Sequence, residues 1–238
     1  MRPAAIVTVH QPQYLPYVGM LSKIVSSDVF VSYDTAAYQK NYFNNRNRVM
    51  TQAGQVWLTI PVHARLGCPL MDVTVDGNRW KRKHLRTVRH LYGRSPNFDL
   101  LFPGFEAALC RESRWLVDYA DSTLDWILAS LGVSVGRVRA SSFVVPAGLS
   151  AQEKLVALTA AVGGTAYLAG PSWRAYMEDI AGFRAAGIHF LESGIHQRPY
   201  ESLTRYAESM SVIDLLFSCG PASLSVVRAS ITVQEVER

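Results

Sequence analysis

The sequence predicts an α/β fold: a single domain with a largely parallel central sheet flanked by helices, in a Rossmann-like three-layer arrangement. Short β-branched apolar runs alternate with helix-length segments over most of the 238 residues, a pattern typical of parallel sheets. The first two runs, residues 4–9 and 28–34, flank a segment of crossover-helix length at 19–26, which predicts a right-handed βαβ unit. No internal repeat or linker is visible, so we expect one domain over residues 1–238.

The remaining elements are predicted from periodicity and from capping and turn residues. Ser150 followed by Glu153 forms a capping-box pair at the start of one helix, and Gly163 follows its predicted end at residue 162. Further strands are predicted over residues 56–62, 72–77, 138–145, 166–169 and 188–191, and helices over 80–92, 113–131, 150–162, 172–186 and 211–217.

Composition narrows the class of protein. Apolar residues make up 49% and charged residues 18%, which is an ordinary globular balance. No apolar run approaches the roughly 20 residues that span a bilayer, and the start of the chain has no hydrophobic leader segment, so we expect a cytoplasmic protein without membrane contact. Cys68, Cys110 and Cys219 are odd in number and widely spaced, which argues against a disulfide framework or a zinc site.

The net charge of +5 is concentrated in part between residues 79 and 94. A basic balance suits nucleic acid, but it equally suits phosphorylated or carboxylated small substrates. Because no nucleic-acid-binding motif is present, we expect no nucleic acid as partner. A basic helix face such as that of residues 80–92 is usually just exposed to solvent. The more specific alternative is that it docks an acidic carrier protein.

Polar side chains follow both strands of the opening βαβ unit, and ligands of such units bind beyond the carboxyl ends of the strands. His10 follows the first strand, and a histidine there suits a general base because its usual pKa is near neutral. Asp34 ends the second strand. If the strands pair in parallel, its carboxylate lies near His10 and orients it, which requires both side chains to face one solvent-reachable cleft.

A second group of polar residues would bind the substrate. Lys40, Asn45, Arg46 and Arg48 follow the second strand and predict a cationic, amide-rich wall suited to a carboxylate, a phosphate or a sugar. Taken singly, each of these four residues could instead be a solvated surface residue. His84 lies four residues after Trp80 on the same helical face, and the alternative for it is packing in the core. The full set of expected substrate-binding residues is Gln11, Tyr14, Gln39, Lys40, Asn45, Arg46, Arg48, His84, Tyr176 and His196.

The order and spacing of these residues resemble the WbqC-like protein family of bacteria over nearly the whole chain. The resemblance is carried by the block at 10–19, the segments 28–34, 45–48 and 57–62, and the later motifs at 167–170 and 211–217. It implies a role in O-antigen, other polysaccharide or natural-product biosynthesis, and some members of the family have been suggested to be glycine transferases. The loop at 196–200 departs from the usual family pattern, so we expect substrate contacts there to be particular to this protein.

The hypothesis that joins these observations is a transferase. It would move a small acyl or aminoacyl group, glycyl among them, from an activated donor to an amine or hydroxyl of a sugar or natural-product intermediate, with His10 as base. Two alternatives stay open: a nucleotide-dependent enzyme of the adenylyl-transfer type, and a non-catalytic partner of a carrier protein or biosynthetic enzyme. The sequence contains no phosphate-binding loop, nucleophile elbow or zinc-binding spacing, so we assign no cofactor and no metal site.

Overall fold

A computed structural model describes residues 5–65 and 67–236, and it confirms a mixed α/β fold with a mostly parallel central sheet flanked by helices. The strands are β1 (Ile6–His10), β2 (Val29–Ser32), β3 (Arg46–Thr51), β4 (Gly54–Thr59), β5 (Val62–His63), β6 (Thr74–Val75), β7 (Gly136–Arg139), β8 (Ala166–Ala169), β9 (His189–Ile195) and β10 (Ile231–Glu235). The helices are α1 (Val18–Val25), α2 (Arg79–Tyr92), α3 (Phe98–Cys110), α4 (Leu116–Ser130), α5 (Ala151–Ala161), α6 (Ala181–Ala185), α7 (Ile213–Cys219) and α8 (Ser223–Ala229). None of the helices in these ranges is both long and apolar enough to cross a bilayer.

The central sheet has the strand order β10-β9-β8-β1-β2-β7. Strands β9, β8, β1, β2 and β7 run parallel, and β10 closes one edge antiparallel to β9. The predicted opening βαβ unit is present, with His10 opposite Ser32 in the register of β1 and β2. The first strand was predicted from Ala4, which lies outside the described residues, and it extends to His10 instead of ending at Val9.

Apolar side chains form one core on each face of the sheet. The larger core packs α1, α2, α3, α4, α7 and α8 together and includes Phe30 from β2. The smaller core packs α5 and α6 against Val7, Val9 and Val31, which point to the opposite face. Since successive side chains of a strand alternate between faces, β1 and β2 need to be apolar on both, and their continuous β-branched runs reflect this double burial.

Several predicted elements are confirmed with small changes of boundary. Helix 80–92 is α2. Ser150 caps α5 through a capping box: Ser150 Oγ accepts from the Glu153 backbone N–H, and the Glu153 carboxylate accepts from the Ser150 backbone N–H. The strand at 166–169 is β8, and the helix predicted at 211–217 is α7, shifted by two residues.

The strand predicted at 56–62 does not belong to the central sheet. Residues Gly54–Thr59 form β4, which pairs antiparallel with β3 as a separate hairpin, and Gly54 takes a positive φ of 119° at the turn. Strand β3 begins at Arg46 and so includes Arg46 and Arg48 of the predicted cationic, amide-rich wall. The predicted strand is therefore present, with earlier bounds, and what the sequence did not indicate is that its partner is β3.

The helix predicted at 172–186 is interrupted. The structure has a 3-10 turn at Trp173–Ala175 and a short α6 at Ala181–Ala185. Asp179 causes the interruption, because its carboxylate accepts from the Ala181 backbone N–H and from Gln152 Nε2 on α5, which starts a new helix there.

Other differences arise where the sequence lacks a decisive pattern. The segment predicted as strand 72–77 is a strand only at β6, and the strand predicted at 138–145 ends at Arg139 in a 3-10 turn. The helix predicted from residue 113 begins at Leu116. Helices α3 and α8 and strand β10 were not predicted; Pro103 inside α3 obscured its helical pattern.

Candidate active site

A cleft of about 400 Å³ opens at the carboxyl ends of β1 and β2, on the face covered by α5. Its wall combines aromatic hydroxyls, two carboxamides and one imidazole over an apolar floor. The lining residues are Val9, His10, Gln11, Tyr33, Gln39, Tyr42, Ala151, Leu155, Tyr167 and Tyr176. Four of the predicted site residues, namely His10, Gln11, Gln39 and Tyr176, therefore meet in one cavity.

His10 enters the cleft from the last position of β1 and has a defined tautomer. Its Nδ1 lies 2.9 Å from the backbone oxygen of Gln11. Because a carbonyl oxygen only accepts, Nδ1 carries the hydrogen, and Nε2 keeps a free lone pair. Desolvation by burial, followed by the nearby charge of Lys23, lowers the pKa of His10 to about 3. The free protein thus holds this imidazole neutral with Nε2 unprotonated.

Lys23 does not line the cleft, but its charge acts on His10, and the sequence analysis missed it. It lies on α1 and is only 5% exposed, and desolvation by burial lowers its pKa to about 8. A detectable signal existed, because Lys23 is the single charged residue in the otherwise nearly apolar helix Val18–Val25. Buried lysines without an obvious partner are uncommon, and strongly perturbed titratable groups cluster at functional sites.

Asp34 does not act as the partner of His10 in this structure. Its carboxylate is fully buried and accepts from both the backbone N–H and the hydroxyl of Ser141, at 2.9 and 2.6 Å. These bonds tie the 3-10 turn after β7 to the end of β2. The predicted acid/base pair is corrected on this point: the Gln11 carbonyl holds His10, and Asp34 anchors the neighbouring turn.

The predicted cationic wall also points elsewhere, because β3 forms a hairpin. Arg46 lies over the ring of Trp57 at 4.1 Å and donates to the backbone oxygen of Asn41. Arg48 also lies over the Trp57 ring, at 5.3 Å from its centroid, and donates to Gln55 Oε1. Both guanidinium groups thus stack on one indole and are not among the residues that line the cleft, although the Nε atom of each has no hydrogen-bond partner within the described residues.

The asparagines of this segment form hydrogen bonds within the protein. Asn45 is buried, donates to the Ile60 carbonyl at 2.8 Å and accepts from the Tyr38 hydroxyl. Asn44, which was not predicted, contacts Gln11, a residue that lines the cleft: its Nδ2 donates to Gln11 Oε1 and to the Pro12 carbonyl. The segment therefore positions Gln11 and the chain that follows it, and Asn45 itself does not line the cleft.

Tyr14 and His84 were predicted as substrate-binding residues, and both lie in the core. The Tyr14 hydroxyl bonds to His84 Nδ1 at 2.9 Å, and Trp80 packs edge-on against both rings. Desolvation by burial, with a smaller effect of the Lys83 charge, lowers the pKa of His84 to about 4. The core-packing alternative for this histidine is the one that the structure supports.

This pair gives a prediction for stability against pH. The pKa of His84 is about 4 in the folded protein and near 6.5 when unfolded, so between these values the unfolded chain binds more protons. The contribution of neutral His84 to the free energy of unfolding is fully present above pH 6.5. We expect roughly 3 kcal/mol of that free energy to be lost as the pH falls to about 4. Urea unfolding of wild type and of His84→Gln at pH 4.5 to 7.5 measures the loss. Equal acid sensitivity of the two proteins would refute this assignment.

Lys40 and His196 are exposed and are not among the residues that line the cleft. Lys40 directly follows Gln39, which lines the cleft, whereas His196 follows β9, two strands from β1 in the sheet. Tyr33, Tyr42 and Tyr167 line the cleft without having been predicted, and the pKa of Tyr167 is raised by burial, so that its hydroxyl stays neutral.

Potential metal ligands do not gather in the part of the chain that the structure describes. No group of three or more histidine, cysteine, aspartate or glutamate side chains lies close enough together there to hold an ion. The cleft itself contributes one imidazole, carboxamides and phenols. Its donors and acceptors suit an uncharged or anionic organic ligand that offers several polar groups.

Comparisons with known proteins agree with the resemblance in the sequence. A family model described as the WbqC-like protein family matches residues 11–226. An uncharacterised protein of Mycobacterium tuberculosis (strain ATCC 25618 / H37Rv), Rv1507c, is 27% identical over 235 residues, which cover 96% of this chain and 98% of that protein. The family model covers β2 and most of the residues that line the cleft, whereas β1, with Val9 and His10, lies outside the matched range. The chain belongs to the WbqC-like protein family.

Proposed function

We propose that this protein is a cytoplasmic biosynthetic transferase that moves a small acyl or aminoacyl group, glycyl among the candidates, to an amine or hydroxyl of a sugar or natural-product intermediate. The observation that carries the proposal is His10, which lines the cleft as a neutral imidazole with its tautomer held by the Gln11 carbonyl. Such an imidazole is ready to accept a proton from a nucleophile at Nε2.

In the proposed reaction, the acceptor amine or hydroxyl attacks the carbonyl carbon of an activated donor such as a thioester. His10 Nε2 takes the proton that the nucleophile loses, the carbonyl π electrons move to oxygen, and their return expels the thiolate, which receives the proton. The oxyanion needs hydrogen-bond donors, and the carboxamides of Gln11 and Gln39 together with the neutral tyrosine hydroxyls are in the same cleft.

The experiment that tests this proposal starts from the intermediate that the protein would act on. Deleting the gene should cause a pathway intermediate without its acyl group to accumulate, which mass spectrometry detects. Purified protein given that intermediate and an aminoacyl thioester should form the acylated product with release of thiol. An unchanged metabolite profile in the deletion strain, together with no thiol release, would exclude the transferase.

A second candidate is a non-catalytic partner of an acidic carrier protein, and the surface of α2 favours it. This helix has no acidic residue, and Arg82, Lys83 and Arg86 are exposed, whereas Lys81 is occupied by a bond to the Arg111 carbonyl. Docking would depend on charge complementarity.

Reversing Arg82, Lys83 and Arg86 to glutamate separates the two candidates. If α2 docks a carrier protein and does nothing more, the reversal abolishes the pathway and His10→Gln leaves it intact. The transferase proposal predicts that His10→Gln abolishes product formation from a free small-molecule thioester, on which the α2 reversal has little effect. Product yield from free and carrier-bound donors, measured side by side, distinguishes them.

A further inference from the structure

We propose that Lys23 binds a carboxylate or phosphate group of the substrate, which enters beside His10 and lies against Gly170. The inference rests on the proposed function, because it assigns the chemical class of the substrate of that same site. It would supply, next to His10 but outside the residues that line the cleft, the cation that the sequence assigned to Arg46 and Arg48. Those two arginines instead stack on Trp57.

The first observation is that Lys23 lacks a counter-ion. It is only 5% exposed, and no carboxylate or other acceptor within residues 5–65 and 67–236 bonds to its ammonium. Burying a charge without a partner is costly, which is why the pKa of Lys23 is lowered to about 8. An anionic group of a ligand would give this ammonium the partner that the described residues do not provide.

The second observation is that Gly170, which lies beside the ammonium, leaves room for at least one further carbon atom there. A Cβ placed on Gly170 would lie 3.9 Å from Lys23 Nζ, and no other neighbouring heavy atom comes within 4 Å of it. The φ of Gly170 is outside the left-handed region, so the backbone does not demand glycine there. Gly170 directly follows β8, the neighbour of β1, so this space is at the same edge of the sheet as His10.

The third observation connects Lys23 to the chemistry. Its charge is one of the two causes that lower the pKa of His10, the larger being burial. An anion against Lys23 would cancel that charge and allow the pKa of His10 to rise. The imidazole would then become a stronger base only after the substrate has bound, which ties proton abstraction to the presence of the correct ligand.

Binding of two small anions to the whole protein tests the site without any need for the true substrate. Inorganic phosphate and acetate are titrated separately at constant ionic strength and pH 7, and the dissociation constant is taken from the shift in melting temperature or from calorimetry. We expect at least one anion to bind wild type and to bind Lys23→Met roughly 10- to 100-fold more weakly. The anion that binds more tightly indicates whether the substrate group is a phosphate or a carboxylate.

Two further variants test whether the anion binds beside Lys23 and not to the basic surface of the protein. Gly170→Ala keeps the charge but fills the space beside it, and it should also weaken the anion, whereas Lys83→Met on the exposed face of α2 should not. Lys23→Met removes a buried charge without changing the length of the side chain greatly, so we expect it to fold. Equal binding by wild type and Lys23→Met, or no binding of either anion to wild type, would overturn the proposal.

An independent measurement is the His10 titration, followed by NMR of the imidazole ring. Saturating anion should move the pKa of His10 upward in wild type and leave it unchanged in Lys23→Met. The outcomes for this site and for the enzyme are separable. Anion binding without acyl transfer would refute only the transferase, and acyl transfer without anion binding at Lys23 would refute only the anion site.

Discussion

Replacing His10 with glutamine is expected to lower the rate of acyl transfer by about 10²- to 10⁴-fold, the usual contribution of a positioned general base. Glutamine approximates the reach of histidine and its carboxamide can still donate to the Gln11 carbonyl, so the cleft keeps its shape. It cannot take up a proton near neutral pH. The measurement is thiol release from the aminoacyl thioester at saturating acceptor, with the melting temperature recorded on the same sample.

The matched control is His196→Gln, which makes the same chemical change at an exposed histidine that does not line the cleft. It should retain the wild-type rate. If His10→Gln and His196→Gln were equally active, His10 would not be the base, and the cleft would at most bind a ligand.

Replacing Asp34 with alanine is expected to destabilise the fold by roughly 2 to 3 kcal/mol, because it removes the acceptor of two hydrogen bonds from Ser141 and leaves a small cavity. The loss should show as a lower urea midpoint with a nearly unchanged slope. Its cause would be the release of the turn after β7 from the end of β2.

Asp34→Asn separates the anchoring role from a catalytic one. The carboxamide oxygen can still accept from the Ser141 N–H, and the amide can donate to the Ser141 hydroxyl, so most of the stability should remain. The folded variant should also retain its transfer activity. A stable but inactive Asp34→Asn would show instead that the carboxylate takes part in the chemistry.

The elements that were predicted correctly are those whose pattern is local. A few neighbouring residues are enough to predict the backbone in three cases: the strands β1 and β2, which are buried on both faces, the capping box at Ser150 and the amphipathic helix α2. Prediction failed where a contact between separate segments decides the backbone: Asp179, held by Gln152 of α5, interrupted the helix predicted after Ser172. The sequence also did not indicate that β4 pairs with β3.

The same division holds for the candidate site. The strand-end rule placed His10, Gln11 and Gln39 in one cleft, because carboxyl ends of parallel strands share an edge of the sheet. It could not tell that Asp34 turns to Ser141, that His84 turns to Tyr14, or that Arg46 and Arg48 stack on Trp57. A polar side chain near a strand end has several partners within reach, and its sequence position does not choose among them.

The sequence by itself determined the α/β class, the opening βαβ unit and the position of one imidazole at the end of its first strand, since these follow from periodicity, from burial on both faces and from chain connectivity. The tertiary structure alone decided the electrostatics of the cleft. It buried Lys23 of α1 close enough to His10 to lower its pKa and left space beside Gly170, because charges interact through distances that only packing sets.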